Sequence, residues 1–596
     1  FRHPGAGPPS RLRSLFTHPR VTWIAIGIAV VMALPALLHG IQGDDYFQRA
    51  ILLGAGETGR DMNPLLDLFA FAGDRDKLQT LIDLGFFPWW THPDLEIRFF
   101  RPVTALTHLL DYALWPDNPA LQHAHSLVWF GVAVAVVASL YRRVHGAVAV
   151  AGLATLLFAV EDAHAMPAVW LANRNSLIAL TFGVLAVIGH IGWRRGGGPL
   201  HLVGALAALL VGLCSGEAAL GAMAYVFAFQ VTLDDAPWTK RLGALAPYVT
   251  VVVAWRCVYD TLGCGTVGCG LYVDPGSHPV QFAGALLLRW PLLLAAQWWQ
   301  LSADLWAGFD DRGQLTLSIL GALLSLAALA LLWRPLRERP EARFWGLGMA
   351  LSLVPLCAAF PMTRLLIFSG VGAFGLLAVA ADCTGWLADE ERRGGRLRRW
   401  GTGFLLVFHG PVAMVLFLVG VLTFPFFGQM FSLGTRQVPR DEALTEQTLV
   451  VANGNEFPLF YMTVMRDLDD DGPVPRRVAL LSTMNAVNTV TREDDRTVAI
   501  EVEGGLLAIA FDRLMRDLEP PFVVGESRTL PDYSVEVRQV TSDGRPLEMV
   551  FTFEQVLEDP GYRWMYWTDH GLQELELPGV GQSVVLPMVP LLAASY

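Results

Sequence analysis

The chain has 596 residues, of which 53% are hydrophobic and 16% charged, with a net charge of −12 and a mean hydropathy of +0.42. Soluble domains carry about 25% charged residues, so this composition excludes a soluble globular enzyme, and its apolar content excludes intrinsic disorder. Residues 436–596 hold 13 Arg, no Lys and 27 acidic residues (net −14), and residues 1–435 hold 30 basic and 28 acidic (net +2); neither part has the basic excess of a nucleic-acid binder.

The first apolar stretch, Val21–His39, follows Arg11, Arg13 and Arg20 of an N-terminal segment, 1–20. It reads as a retained first span and not as the h-region of a cleaved leader, since a bilayer core takes about 20 apolar residues per helix. A long outward loop, 41–122, comes next, with amphipathic pieces at Asn63–Phe71 and Lys77–Phe87 and with Trp89 and Trp90 suited to an interfacial belt. Further spans are expected at 123–141, 146–160, 171–193, 199–214, 217–233, 242–262, 315–333, 344–360, 364–382 and 401–424, which completes a transmembrane domain over 21–424.

Basic clusters mark the cytoplasmic ends: Arg142 and Arg143, Arg194 and Arg195, Lys240 and Arg241, Arg334 to Arg343, and Arg392 to Arg399. All of them stay inside only if the apolar piece 281–300, interrupted by Arg289 and Pro291, does not cross. We read it as a re-entrant or interfacial helix on the outer side. About eleven spans then leave the N-terminus cytoplasmic and the acidic domain, 435–596, outside. Arg-for-Lys usage, with Lys77 and Lys240 alone, and abundant Ala and Gly suggest a GC-rich bacterium; with the orientation above, the expectation is an inner-membrane protein with a periplasmic C-terminal domain.

That domain changes language. Short β-rich runs at Thr448–Ala452, Arg477–Leu481, Thr497–Val502, Ser534–Val540, Glu548–Phe553 and Gln582–Leu586 alternate with Gly, Pro and Asp turns, the pattern of a small sandwich or barrel. Asp467–Gly472 opens like a calcium loop, but its twelfth position is Val478, so an acidic turn is the better reading. Of the six cysteines, Cys214, Cys257, Cys357 and Cys383 lie in apolar stretches, while Cys264 and Cys269 are close enough to pair in an oxidising compartment.

Four constellations carry chemistry. Asp44 and Asp45, just outside the first span, suit a general base and its positioning or metal-ligating neighbour; they also suit a solvated helix end. Arg101, before a proline at the head of an apolar helix, suits a phosphate grip or an interfacial snorkel. His123 lies downstream of it. Glu161, Asp162 and His164 lead to Trp170 and Arg174 at the head of a span, where polar groups face the bundle interior. Glu217 and Arg364 stand at outer helix ends, either as ligand-binding groups or as a mutual ion pair.

In this order the pieces resemble the GT-C superfamily of polytopic glycosyltransferases, above all the transmembrane and tetratricopeptide-repeat O-mannosyltransferases and their bacterial relatives. The matching motifs are Asp44-Asp45, Phe100-Arg101-Pro102 with Asn118-Pro119 and His123, Phe158–Val160 with His164, Trp170 and Arg174, Ser215-Gly216-Glu217, and Thr363-Arg364-Leu365-Leu366, spread over about residues 21–382. The chain departs from that pattern at Glu161-Asp162, Met166, Ser176 and Gly216, and its tetratricopeptide tail is replaced by the acidic domain.

The resemblance implies a membrane glycosyltransferase that moves a sugar from a polyprenyl-phosphate donor to an extracytoplasmic hydroxyl of a glycan, lipid or protein, with inversion. Asp44 or Asp45 would be catalytic, and Arg101, Arg174 and Arg364 would hold the donor phosphate. His123, His164, Trp170 and Glu217 would bind substrate, and a divalent metal is a cofactor the resemblance leaves open. The departures leave an alternative: a catalytically inactive membrane subunit that anchors a larger assembly of other membrane proteins through its outward domain.

Overall fold

The computed structural model describes residues 11–387, 395–469 and 472–589. Arg392 and Arg393, counted above among the cytoplasmic cations, lie outside the described residues, as do Asp470 and Asp471 of the acidic run. Asp467 and Asp469 belong to the helix Glu456–Asp469, which sets them on a helical and not a looped backbone.

Among the described residues, eight helices are long and apolar enough to cross a membrane, or nine if the bent pair Val148–Ala159 and Asp162–Val169 is one span. Seven of the eight coincide with expected spans, and the bent pair covers the expected 146–160. Three further expected spans form shorter helices: Pro199–Leu213, Gly221–Thr232 after a 3-10 turn, and Pro340–Ser352. A 13-residue helix rises only about 20 Å, short of a hydrocarbon core of about 30 Å. The apolar sequence continues beyond each helix, but its backbone breaks into 3-10 turns such as Pro355–Ala358.

The eighth helix is Pro279–Trp299, the piece read from sequence as re-entrant. Its start touches the C-terminal domain, where Gln281 donates to Glu519 at 2.6 Å. So does the start of the next helix, Asp311–Glu338: Asp311 pairs with Arg513 at 2.9 Å, and the Ala510 N–H donates to the Phe309 carbonyl. The two helices therefore descend side by side, with Ser318 bonded to the Leu288 carbonyl and Trp299 to that of Leu324. Between them Gln300 reverses the chain in a left-handed conformation (φ 47°). On the way back Ala303–Gly308 forms a 3-10 turn, and its Asp304 accepts the Thr363 hydroxyl at the head of the helix Thr363–Cys383. Length alone makes 279–299 a span; its contacts bring 279–310 in and out on one side of the bundle.

The C-terminal domain carries all six expected strands but is not a plain sandwich. A six-stranded antiparallel sheet holds Asn488–Arg492, Thr497–Val502, Ser527–Thr529, Tyr533–Val540, Pro546–Phe553 and Ser583–Leu586. A four-stranded sheet pairs Thr448–Val451 in parallel with both Arg477–Leu480 and Tyr562–Thr568. A parallel pair needs a crossover, here the helix Glu456–Asp469, so the unit is β-α-β.

This domain shares one apolar core with the 41–122 loop: Phe47, Phe69, Phe87 and Leu95 pack in the same cluster as Leu449, Phe460, Met549 and Phe551. Trp89 and Trp90 lie inside it at 4% and 0% exposure, with the Trp89 indole bonded to the Leu481 carbonyl at 3.0 Å. They are core residues and not a membrane belt, because the domain covers the surface they would have offered to lipid. Cys264 and Cys269 are both buried and unbridged.

Candidate active site

The helix Asp44–Leu53 starts at Gly43, whose φ of 55° turns the chain out of the first span. Asp44 and Asp45 occupy its first turn, where the helix dipole favours negative charge. The two neighbours then part company. Asp45 is 4% exposed; one oxygen accepts the Gln42 N–H at 2.9 Å and the other the Ala172 N–H at 2.7 Å. It latches the start of this helix to the head of the helix Leu171–Gly197, and burial pushes its carboxyl up to about 7. Asp44 is half-buried and accepts a hydrogen bond from the Tyr461 hydroxyl, carried by the crossover helix of the C-terminal domain. Burial raises its carboxyl above the ordinary range, opposed by Tyr461 and by the charges of Arg364 and Arg101.

Arg364 stands on the 3-10 turn Thr363–Leu366. The segment that climbs back from the re-entrant helix holds this turn: Asp304 accepts the Thr363 hydroxyl at 2.6 Å and its N–H at 3.1 Å. The guanidinium lies over the Trp170 ring (5.3 Å to the centroid) and donates to Asn173 at 3.2 Å. Among the described residues no carboxylate comes within ion-pair distance of it, although Asp44, Asp304 and the Tyr272 hydroxyl lie in its field. The Asn173 amide nitrogen is buried with no acceptor. A half-buried cation beside an unused donor is chemically complementary to an anion.

Arg101 joins the same field but is pinned. It bonds Glu217 at 2.8 Å and stacks over Phe99 and Phe69, with centroids at 4.5 and 5.0 Å. The ion pair open from sequence between Glu217 and Arg364 is thus made with Arg101. Trp170 takes part through its ring under Arg364, while its indole N–H donates to the Gln42 carbonyl at 3.2 Å.

Three expected site residues lie elsewhere. Arg174 is wholly buried, paired with Asp111 at 2.5 Å and bonded to Ser126 and the Gln122 carbonyl, both at 2.9 Å. Its donors are consumed by protein, so the phosphate reading is corrected: it clamps helices together. His123 sits against His39 and reaches the Gly40 carbonyl at 3.4 Å. His164 is packed between Phe158 and Phe130 with neither ring nitrogen bonded. Neither imidazole faces Asp44.

The donor set does not fit a divalent metal. Among the described residues no group of three or more His, Cys, Asp or Glu is arranged to hold one, and both Asp45 oxygens are already spent on N–H groups. Glu161, one of the departures noted above, faces a separate buried cluster, bonding His409 at 3.2 Å and Gln297 at 3.5 Å beside the tip of the re-entrant helix. Sequence reasoning missed Tyr461, Tyr272 and Asn173 as site residues. Only Asn173 carried a signal, as the amide preceding Arg174 at a span head.

No family model matches the chain, and no curated protein does. Among solved structures it is similar to the Archaeoglobus fulgidus oligosaccharyltransferase tethered with an acceptor peptide, at 12% identity over 77% of this chain and 64% of that one, TM-score 0.40. It is similar to the archaeal oligosaccharyltransferase AglB from the same organism in complex with an inhibitory peptide and a dolichol-phosphate, at 10% identity over 77% and 64%, TM-score 0.38. ArnT from Cupriavidus metallidurans in the apo state gives 12% identity over 76% and 88%, TM-score 0.36. The chain thus spans 64% of the length of the oligosaccharyltransferases it matches.

Proposed function

We propose that the chain is a GT-C-type membrane glycosyltransferase that takes a sugar from a polyprenyl-phosphate donor and passes it to an acceptor hydroxyl outside the cytoplasm. The observation that carries this reading is the pairing of a half-buried, carboxylate-free Arg364 with the half-buried carboxylate of Asp44 at one outer site. The donor phosphate would lie on Arg364, with the Asn173 amide nitrogen as a second donor. Asp44 takes the proton of the acceptor hydroxyl, whose oxygen forms a bond to C1 as the C1–O(phosphate) bond breaks. The leaving polyprenyl phosphate carries the electron pair onto the oxygen that Arg364 stabilises, and attack from the far side inverts the centre. A carboxyl raised by burial is a stronger base than one in water, which suits Asp44 to that step near neutral pH. Arg101, Glu217 and Trp170 hold this arrangement in place.

The test is transfer in vesicles holding the full chain and a panel of radiolabelled polyprenyl-phosphate sugars. Wild type is expected to consume one donor, and Asp44→Asn to lower the rate by about 10²–10⁴, the usual contribution of a general base. Equal rates in the two would overturn the role of Asp44. No consumption of any donor would favour a second reading, an inactive GT-C subunit anchoring a larger assembly. One observation supports that alternative: three of the four oxygens of Asp44 and Asp45 are already bonded to protein donors.

A further inference from the structure

At the end of the bundle opposite Asp44 and Arg364, a cleft of about 660 Å³ opens between the helices 221–232, 279–299, 311–338 and 340–352. Along the helix Asp311–Glu338 its wall runs from Ala322 to Leu336, about 21 Å at 1.5 Å per residue. That exceeds half of a hydrocarbon core of about 30 Å, the depth of one leaflet. Its deep end is closed by Trp290 and Trp298 of the re-entrant helix, and its flank is open, since Leu326 and Leu329 are 61% and 43% exposed. The lining is apolar except for Thr232, Ser325 and one cation, Arg343.

Arg343 stands at the mouth, in the basic cluster read from sequence as cytoplasmic. In that cluster Arg334 pairs with Glu338 at 2.9 Å, and Arg339 with Glu341 at 3.5 Å and Asp382 at 3.8 Å, while the exposed Arg337 does not line the cleft. Arg343 is exposed and, among the described residues, has no carboxylate at ion-pair distance. A channel of one leaflet's depth, apolar along its length and cationic only at its mouth, is complementary to one molecule: an amphiphile with a phosphate head and a chain that ends at the bilayer midplane.

We propose that this cleft is a binding site for a phospholipid of the leaflet on the Arg343 side, its phosphate on Arg343 and one acyl chain running up to Trp290 and Trp298. The chain then fills the space beneath the re-entrant helix, whose upper side leads to Asp304 and so to the turn that holds Arg364. The site is distinct from the donor's, because the cation that would hold its phosphate lies at the other end of the bundle.

The experiment is native mass spectrometry of the full chain, released from phospholipid vesicles and washed in delipidating detergent. Arg343→Glu and Leu326→Trp alter exposed positions, the first at the mouth and the second in the chain's path, and Arg343→Lys keeps the charge. Wild type and Arg343→Lys are expected to retain one phospholipid, and Arg343→Glu and Leu326→Trp to retain it at least fivefold less, with unchanged elution on size exclusion. Wild type emerging without lipid, or equal retention in wild type and Arg343→Glu, would overturn the proposal. So would a retained mass equal to a polyprenyl phosphate, which would make the cleft part of a donor path.

Discussion

Arg174 and Arg364 stand at the heads of two bundle helices, and the sequence treats them alike. Arg174 is sealed: an ion pair with Asp111, a hydroxyl and a carbonyl take its donors, and no part of it is exposed. Arg364 has an aromatic face, one amide and the Met362 sulfur, and no carboxylate partner among the described residues. A buried cation is stable only where its charge is answered. The first is answered by the protein; the second has no carboxylate to answer it among the described residues, which is why we propose it as the group that takes an anion. What separates a clamp from a binding group is therefore the partner inventory, not the residue type or its place on a helix.

That contrast is broken most forcefully at the clamp. Arg174→Ala strands Asp111 inside the bundle, and removing one partner of a buried pair costs about 3–5 kcal/mol. The expected outcome is a large loss of folded protein and of thermal stability in detergent, with Arg174→Ala,Asp111→Ala recovering part of it. The mirror substitution, Arg364→Ala, is expected to leave the unfolding temperature nearly unchanged and to weaken retention of polyprenyl phosphate by about 10–100-fold, in line with about 1.5–3 kcal/mol for a charge-assisted bond. Equal destabilisation by the two would mean that Arg364 is a second clamp.

Asp45 and Asp44 sharpen the same contrast between a spent group and an available one. Asp45 is held at about 7 by burial, above its unfolded value of about 3.9. Below pH 4 both states are protonated and the shift costs nothing. Between pH 4 and 7 the unfolded chain ionises first, so stability falls as pH rises, and above 7 the cost is constant. Asp45→Asn removes this term, so the difference in unfolding temperature, Asp45→Asn minus wild type, should grow from pH 4 to pH 7 and then level off. A flat difference would show that the two N–H bonds, and not burial, set this carboxyl.

Much of the fold was legible because hydrophobic runs and strand alternation are local signals. Seven spans and six strands follow from them, and basic clusters alone singled out 281–300 as a segment that turns back. The helix Glu456–Asp469 was not legible, since what requires it as a crossover is the parallel pairing of Thr448–Val451 with Arg477–Leu480, which strand alternation does not reveal. The carboxylate pair was readable, but which member is free depends on the Ala172 N–H, 127 residues on. Arg174 was misread for the same reason: Asp111 lies on another helix, and nothing in either local motif announces the pairing.

Tyr461 offers the smallest and most selective test of this division, because it joins the C-terminal domain to the site through one hydroxyl. Its phenol donates to Asp44, and burial followed by that carboxylate raises it well above its ordinary value, so it holds its proton throughout the working range. Tyr461→Phe keeps the ring packed against Phe431 and Phe460 and removes the donor alone. Losing one buried hydrogen bond to a charged acceptor costs about 1–3 kcal/mol, part of which the half-buried carboxylate recovers from water. If Asp44 works as a base, losing the donor that lowers its carboxyl raises it further, most in a dry site and less where water takes the phenol's place. The acid limb of the transfer profile should therefore shift to higher pH while retention of polyprenyl phosphate stays at the wild-type level. A loss of donor retention equal to that of Arg364→Ala would instead make the C-terminal domain part of the phosphate site.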